Sequence, residues 1–140
     1  MESRQADPAV TSEAALLLAA LFFAHFVGDY TPLANARMQD AKAVGTPVGP
    51  IAGHALIHAL LATVAVVMVA RPGLGPVAIA AAVVFGTHLA IDVLRGRMGA
   101  RQPELSNPER QAFWTALGFD QLLHGLVLIG VAWLVLRPAG

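Results

Sequence analysis

The sequence alternates between four long apolar stretches and shorter polar segments. The apolar stretches cover about residues 13–30, 51–70, 74–94 and 113–136. Each is close to the ~20 residues that a helix needs to cross the hydrocarbon core of a bilayer. A backbone in lipid must satisfy its hydrogen bonds internally, so stretches of this kind are expected to be helices. The pattern predicts an all-α protein: an integral membrane four-helix bundle, formed by one domain, with both termini on the same side.

A polar segment over about residues 32–43 separates the first two apolar stretches. Thr31 and Pro32 suit the N-cap and the first position of a helix, and Arg37 and Lys42 follow within the segment. We expect a short amphipathic helix here that lies in the membrane interface.

The composition agrees with a membrane protein and excludes several classes of function. Hydrophobic residues make up 56% of the 140 residues and charged residues 13%, which is typical of a small integral membrane domain. The formal net charge is zero, so no basic excess indicates a nucleic acid partner. Cysteine is absent, which excludes disulfides, thiolate metal ligands and a cysteine nucleophile.

Lysine and arginine are distributed unequally between the two sides of the predicted bundle. The first and third connections carry Arg37, Lys42, Arg95, Arg97, Arg101 and Arg110, whereas the tails and the second connection carry Arg4, Arg71 and Arg137. The positive-inside rule places the side with more positive charge in the cytoplasm. We therefore expect a multi-pass protein with both termini outside.

Every histidine of the sequence stands four residues from another histidine or from an aspartate. The pairs are His25 with Asp29, His54 with His58, His88 with Asp92, and His124 with Asp120. Residues four apart share one face of a helix, so the two members of a pair point in the same direction. In the predicted topology all four pairs lie at the cytoplasmic end of the bundle. Ionisable groups within a span are costly unless they meet one another or a cation.

Glycines accompany these pairs. Within two residues of a member of a pair are Gly28, Gly53, Gly86, Gly118 and Gly125. Small residues let neighbouring helices approach closely, so these positions are expected to help the side chains converge.

Imidazole nitrogen and carboxylate oxygen together are the ligand types of a divalent transition metal, zinc first and iron or manganese as alternatives. The candidate metal ligands are His25, Asp29, His54, His58, His88, Asp92, Asp120 and His124. They exceed one tetrahedral site, so either two ions bind, or one ion binds and some aspartates orient the histidines. Two other interpretations stay open: a purely structural polar network, and a b-type haem, which needs only axial histidines and gives the aspartates no role.

Four motifs together resemble a known family. They are His25-Phe26-Val27-Gly28-Asp29-Tyr30, His54-Ala55-Leu56-Ile57-His58, His88-Leu89-Ala90-Ile91-Asp92 and Asp120-Gln121-Leu122-Leu123-His124. In this order they resemble the small bacterial and phage membrane proteins called domain of unknown function 3307. The resemblance implies a protein of the bacterial inner (cytoplasmic) membrane and carries no assigned activity. More loosely, the arrangement is similar to inner-membrane proteins described as metal-dependent hydrolases.

Two classes of function follow from a metal site of this kind. A metal-dependent hydrolase would act on a membrane lipid or a lipid-linked, phosphorylated substrate. The general base would be one of Asp29, Asp92 and Asp120, with Asp120 as the first candidate. Gln121 or Thr87 would donate to the developing oxyanion, and the arginines after the third span, Arg95, Arg97 and Arg101, would hold a phosphate.

The second class is a metal-ion binding or transport protein that uses the same histidines as a transit site. Transport requires a polar path to the outer face, and apart from Thr63 the outer halves of the spans are almost wholly apolar. The sequence therefore favours the enzyme. The small interior of four short helices is also compatible with a homodimer.

Overall fold

The computed structural model describes the backbone of residues 8–137 and the side chains of residues 12–137. This part of the chain is helical throughout, apart from short connections. The helices are α1 (Pro8–Tyr30), α2 (Ala36–Val44), α3 (Val48–Val69), α4 (Leu74–Arg101) and α5 (Gln111–Leu136), and a short 3-10 helix, Pro103–Ser106, lies between α4 and α5.

Four of these helices are long and apolar enough to cross a membrane. The candidate spans are Ser12–Tyr30, Val48–Val69, Leu74–Arg101 and Gln111–Leu136, which confirms the all-α class and the four long apolar helices predicted from the sequence. The described part of the chain has five α-helices rather than the four of the predicted bundle, because the segment predicted as a short amphipathic helix of the membrane interface packs against α3 and α4 as a fifth helix.

The four long helices form a closed ring of neighbours, in which α3 lies between α1 and α4, and α5 lies between α4 and α1. One half of the interior is filled by apolar side chains, among them Leu17, Leu21, Val66, Val84, Leu128 and Val131. The other half, which α2 borders, contains the polar side chains described below. Many large apolar side chains of the four helices point away from the ring and are exposed.

The connection from α1 to α2 differs from the sequence-based prediction. The hydroxyl of Thr31 donates to the carbonyl of Val27, 2.6 Å away, and so is bonded to the last turn of α1 and does not cap a new helix. Asn35 caps α2 instead, because its side-chain oxygen accepts from the backbone N–H of Met38 at 3.1 Å. The helix therefore begins at Ala36, four residues later than predicted.

A close backbone contact fixes α2 against α4. A Cβ atom added at Gly96 would overlap the carbonyl oxygen of Lys42 and the backbone of Gly45. Gly45 ends α2 in the left-handed conformation, with φ of 72°, and its N–H donates to the carbonyl of Ala41. Because Gly96 has no side chain, α2 lies directly on α4, and Lys42 reaches the interior of the bundle.

Candidate functional site

All eight side chains predicted as metal ligands lie in one cluster between α1, α3, α4 and α5. The five histidines and Asp92 are buried, and Asp29 and Asp120 are partly exposed. The four pairs, which are far apart in the sequence, therefore meet at one level of the bundle.

Asp29 is the carboxylate at the centre of one half of the cluster. Its Oδ1 atom lies 3.0 Å from Nε2 of His54 and 3.4 Å from Nε2 of His58. Its Oδ2 atom lies 3.4 Å from Nε2 of His25, one turn earlier on the same helix. One carboxylate of α1 is thus surrounded by imidazoles of α1 and α3.

His88 connects this half to the other. Its ring is stacked on that of His58, with the ring centroids 3.7 Å apart, and its centroid lies 4.3 Å from that of His124. Its Nε2 atom lies 3.4 Å from Oδ2 of Asp92. The histidines therefore pack against one another in the middle of the bundle.

The ligand-type atoms of the cluster fall into two overlapping groups. The first is Asp29, His54, His58 and His88, and the second is His88, Asp92 and His124; within each group these atoms all lie within 4.8 Å of one another. Two of the predicted ligands, His25 and Asp120, lie beside these groups and belong to neither.

Asp120 and Gln121, the two residues predicted to be catalytic, are hydrogen-bonded to each other. Nε2 of Gln121 donates to Oδ2 of Asp120 at 3.1 Å, and Oε1 of Gln121 lies 3.4 Å from Nε2 of His25. The side chain of Gln121 thus connects Asp120 to the rest of the cluster.

His124 is oriented by its own helix. Its Nδ1 atom lies 2.9 Å from the backbone carbonyl oxygen of Asp120, and a carbonyl can only accept, so Nδ1 carries the proton. In a neutral imidazole with a proton on Nδ1, the other nitrogen, Nε2, has a free lone pair. Such a backbone contact is the usual way in which a metal-binding histidine is held in one tautomer.

Several buried atoms of the cluster make no hydrogen bond within the part of the chain that the structure describes. They are His54 Nδ1, His58 Nε2, His88 Nε2, Asp92 Oδ2, Asp120 Oδ1 and His124 Nε2. Three of them, His58 Nε2, His88 Nε2 and Asp92 Oδ2, lie at ion-pair distances from neighbouring charged groups without hydrogen-bond geometry. A buried polar atom without a partner costs about 1–3 kcal/mol, so a cluster of them indicates a site with a further role.

Lys42 is the site residue that the sequence analysis missed. Its Nζ atom lies 3.0 Å from Oδ1 of Asp29, 3.4 Å from Oδ2 of Asp92 and 2.8 Å from Nε2 of His54. Burial by itself lowers the pKa of Lys42, but the carboxylates of Asp92 and Asp29 outweigh it and raise that pKa above its usual value. The side chain is therefore an ammonium ion between two carboxylates.

One feature of the sequence points to Lys42 in hindsight. It is the only lysine of the sequence, and the small residues Ala41, Ala43 and Gly45 surround it. Small residues permit close helix packing, which an interfacial helix exposed to solvent does not need.

A cleft of about 620 Å³ opens beside the cluster, bordered by α2, the last turns of α4 and the first turns of α5. Its polar wall includes Asp29, Lys42, Asp92, Arg95, Asp120 and Gln121, and its apolar wall includes Val44, Phe113 and Leu117. The cluster is therefore accessible from this end of the bundle.

The opposite side of the cluster is nearly closed. The cavity there has a volume of only about 10 Å³, and Leu21, Ala62, Val84 and Leu128 enclose it together with the histidines. Thr87 lines this small cavity rather than the cleft, and its hydroxyl donates to the carbonyl of Val83 at 2.6 Å. Of the two predicted oxyanion donors, only Gln121 therefore faces the cleft.

Comparison with known proteins gives a family and no function. A search of curated proteins and a search of solved structures found no match. A family model described as "Protein of unknown function (DUF3307)" matches residues 17–139, a range that includes the four motifs, Lys42 and the whole cluster. The chain therefore belongs to the DUF3307 family, as its four motifs predicted.

Proposed function

We propose that this protein is a metal-dependent hydrolase of the bacterial inner membrane. Its cluster would hold a divalent transition metal, zinc first and iron or manganese as alternatives, and its substrate would be a lipid or a lipid-linked, phosphorylated molecule. One observation carries the proposal: a buried group of histidines and aspartates with unpartnered donor atoms adjoins an open cleft.

The outer surface of the bundle supports a membrane location. Phe23, Met68 and Trp133, from three different helices, are 68%, 71% and 66% exposed. A soluble monomer rarely exposes so much apolar surface, whereas a helix bundle in lipid is expected to. The distribution of lysine and arginine favours an orientation with the cleft on the cytoplasmic side and the termini outside. With Lys42 counted as part of the site, that side still has more basic residues than the other.

Distances between the donor atoms support a metal centre. Ligands about 2.0–2.1 Å from a tetrahedral zinc ion are separated from one another by about 3.3 Å. Oδ1 of Asp29 lies 3.0 and 3.4 Å from Nε2 of His54 and His58, and Nε2 of His88 lies 3.4 Å from Oδ2 of Asp92. A bound ion would also give partners to four buried atoms that make no hydrogen bond, His58 Nε2, His88 Nε2, Asp92 Oδ2 and His124 Nε2.

The residues at the cleft suggest how the chemistry is divided. A bound divalent metal supplies Lewis-acid polarisation and activates water. Asp120 lines the cleft, lies outside both ligand groups and has an unpartnered Oδ1 atom, so it is the candidate general base. The amide of Gln121 uses one N–H on Asp120, and its second N–H is available to a developing oxyanion.

The walls of the cleft suggest the substrate class. Val44, Phe113 and Leu117 form an apolar surface, and Arg95 adds a guanidinium group to the polar end. Arg95 donates to the carbonyl of Leu105 at 2.7 Å, which orients the guanidinium and leaves further N–H groups for an anion. An amphiphile fits a cleft with one apolar and one polar wall: its apolar part would contact the first, and its phosphorylated or carboxylate head would lie at Arg95.

The alternatives are less well supported. Metal transport requires a polar path beyond the cluster, but the described core there is apolar. The hydroxyl of Thr63, the polar group that the sequence offered for such a path, donates to the carbonyl of Ala59 on its own helix at 2.8 Å. A haem needs a planar slot between its axial histidines, whereas His58 and His88 stack directly on each other.

The test is a hydrolysis assay on protein purified in detergent without chelator. A panel of phospholipids, polyprenyl phosphates and acyl amides is offered to the purified, the chelated and the zinc-reloaded protein. We expect one substrate class to be cleaved, cleavage to stop on chelation, and zinc to restore it. The transport alternative replaces this proposal if no substrate is cleaved while proteoliposomes take up metal and the His58→Ala variant does not.

A further inference from the structure

Lys42 and a metal ion require the same lone pair of His54. An ammonium group has donors only, so at 2.8 Å the Nε2 atom of His54 accepts from Lys42. The same nitrogen faces Asp29 at 3.0 Å, in the group with the spacing of a metal site. A ring nitrogen has one lone pair, so His54 cannot accept from Lys42 and coordinate a metal through Nε2 at the same time.

From this conflict we infer that Lys42 is an exchangeable internal cation of the site: its ammonium leaves His54 and Asp29 when a metal ion binds, and moves into the cleft. The inference rests on the proposed metal centre, and it adds a residue that controls how the metal enters it.

Electrostatics makes the metal ion and the ammonium compete for the same carboxylates. With the ammonium between them, Asp29 and Asp92 have a positive partner at 3.0 and 3.4 Å. A divalent ion on the same carboxylate supplies that charge, and an ammonium 3.0 Å from Oδ1 of Asp29 would then lie next to a second cation. Like charges at such short range in a partly buried site repel strongly, so the ion and the ammonium exclude each other.

The fold provides a place for the displaced ammonium. Lys42 lines the cleft of about 620 Å³, and its side chain is already 20% exposed. Its four-carbon stem is flexible, whereas the backbone of α2 is fixed by the contact between Gly45 and Gly96. The side chain can therefore rotate towards the cleft while the helix stays in place.

The first test measures the reactivity of the Lys42 amine in the wild-type protein. Lys42 is the only lysine of the sequence, so after treatment with an amine-reactive acetylating reagent, peptide mass spectrometry distinguishes its labelling from that of the N-terminal amine. At constant pH, saturating zinc is expected to raise the labelling rate several-fold. Magnesium, which prefers oxygen ligands, serves as the control ion and is expected to leave the rate unchanged.

The second test measures zinc affinity in two matched variants. Lys42→Met removes the ammonium and keeps most of the stem, so zinc should bind about tenfold more tightly or better. Arg37→Met removes one positive charge from an exposed position of the same helix, and its affinity should equal that of the wild type.

The outcomes separate this inference from the proposed metal centre. If wild-type protein binds zinc but neither labelling nor affinity changes as expected, the exchange is wrong and the metal centre stands. If neither the wild type nor Lys42→Met binds zinc, iron or manganese, the metal centre is wrong and the exchange falls with it. The labelling test needs no variant, so poor folding of Lys42→Met does not prevent a decision.

Discussion

Gly28 lies directly against the imidazole ring of His58. A Cβ atom added at Gly28 would overlap three atoms of that ring. Because Gly28 immediately precedes Asp29, the same approach of α1 to α3 brings the carboxylate of Asp29 to 3.4 Å from Nε2 of His58. The absence of a side chain at this position is thus a condition for the geometry of the cluster.

The substitution Gly28→Ala should therefore disturb the site. In a helix interior, alanine is ordinarily more stabilising than glycine by about 0.5–1 kcal/mol, so a loss of stability can be assigned to the clash with His58. We expect lower zinc content by elemental analysis and a lower midpoint of thermal unfolding in detergent.

The control is Gly118→Ala in α5, where an added Cβ atom has open space around it. It should keep its zinc and be equally or more stable than the wild type. Equal behaviour of the two variants would contradict the role given to Gly28.

The glycines also show which contacts could be predicted from the sequence alone and which could not. It singled out five glycines by their distance from the histidines and aspartates, and Gly28 does contact a ring of the cluster, whereas Gly86 and Gly118 face open space. Gly96, which holds α2 against α4, was not among them. What a glycine faces depends on the rotation of its helix, and helices with apolar residues on every side carry no periodicity that reports it.

The difference between local spacing on one helix and contacts between distant helices also explains which site residues were predictable. Spacing of four residues on a helix is a local property, so the sequence placed the two members of each pair, such as His88 and Asp92, on one face. The position of Lys42 depends on the path of α2, which a distant glycine of α4 determines. Local spacing contains no information about that contact, so Lys42 was predicted only as a polar residue of an interfacial helix.

The contact between α2 and α4 leads to a second prediction. A methyl group at position 96 would overlap backbone atoms of Lys42 and Gly45, and backbone atoms cannot move independently of the helix. Gly96→Ala should therefore displace α2 and withdraw Lys42 from the carboxylates. The Lys42 amine should then be labelled rapidly even without zinc.

The control for that experiment is Gly86→Ala on the same helix, where nothing lies within 4 Å of an added Cβ atom. Its labelling should match that of the wild type. Slow labelling in Gly96→Ala would show that α2 does not depend on this contact.

The third prediction separates the histidines by their places in the cluster. His88 belongs to both ligand groups, whereas His25 lies beside them and reaches Asp29 and Gln121 at 3.4 Å. His88→Ala should lose nearly all bound metal, and His25→Ala should retain most of it. Elemental analysis of the two purified variants checks this, and equal loss in both would place His25 among the ligands.

The fourth prediction concerns orientation in the membrane. The excess of basic residues in the first and third connections predicts that residues 35–48 and 96–110 face the cytoplasm. Reporter fusions in the third connection and at the C-terminus should therefore report opposite sides. A cytoplasmic C-terminus would invert the orientation and open the cleft to the outer face.

The last prediction tests the role of Asp120 in hydrolysis. Asp120 lines the cleft but lies outside both ligand groups, and Gln121 donates to its Oδ2 atom. Asp120→Asn keeps the shape of the side chain and removes its capacity to accept a proton, so the hydrolysis rate should fall by about 10²–10⁴-fold. Its zinc content should stay at the wild-type level. Asp40→Asn, a change at an exposed position of α2, is the control and should retain full activity. If Asp120→Asn loses its zinc together with its activity, Asp120 is a metal ligand; if it keeps both, another group is the base.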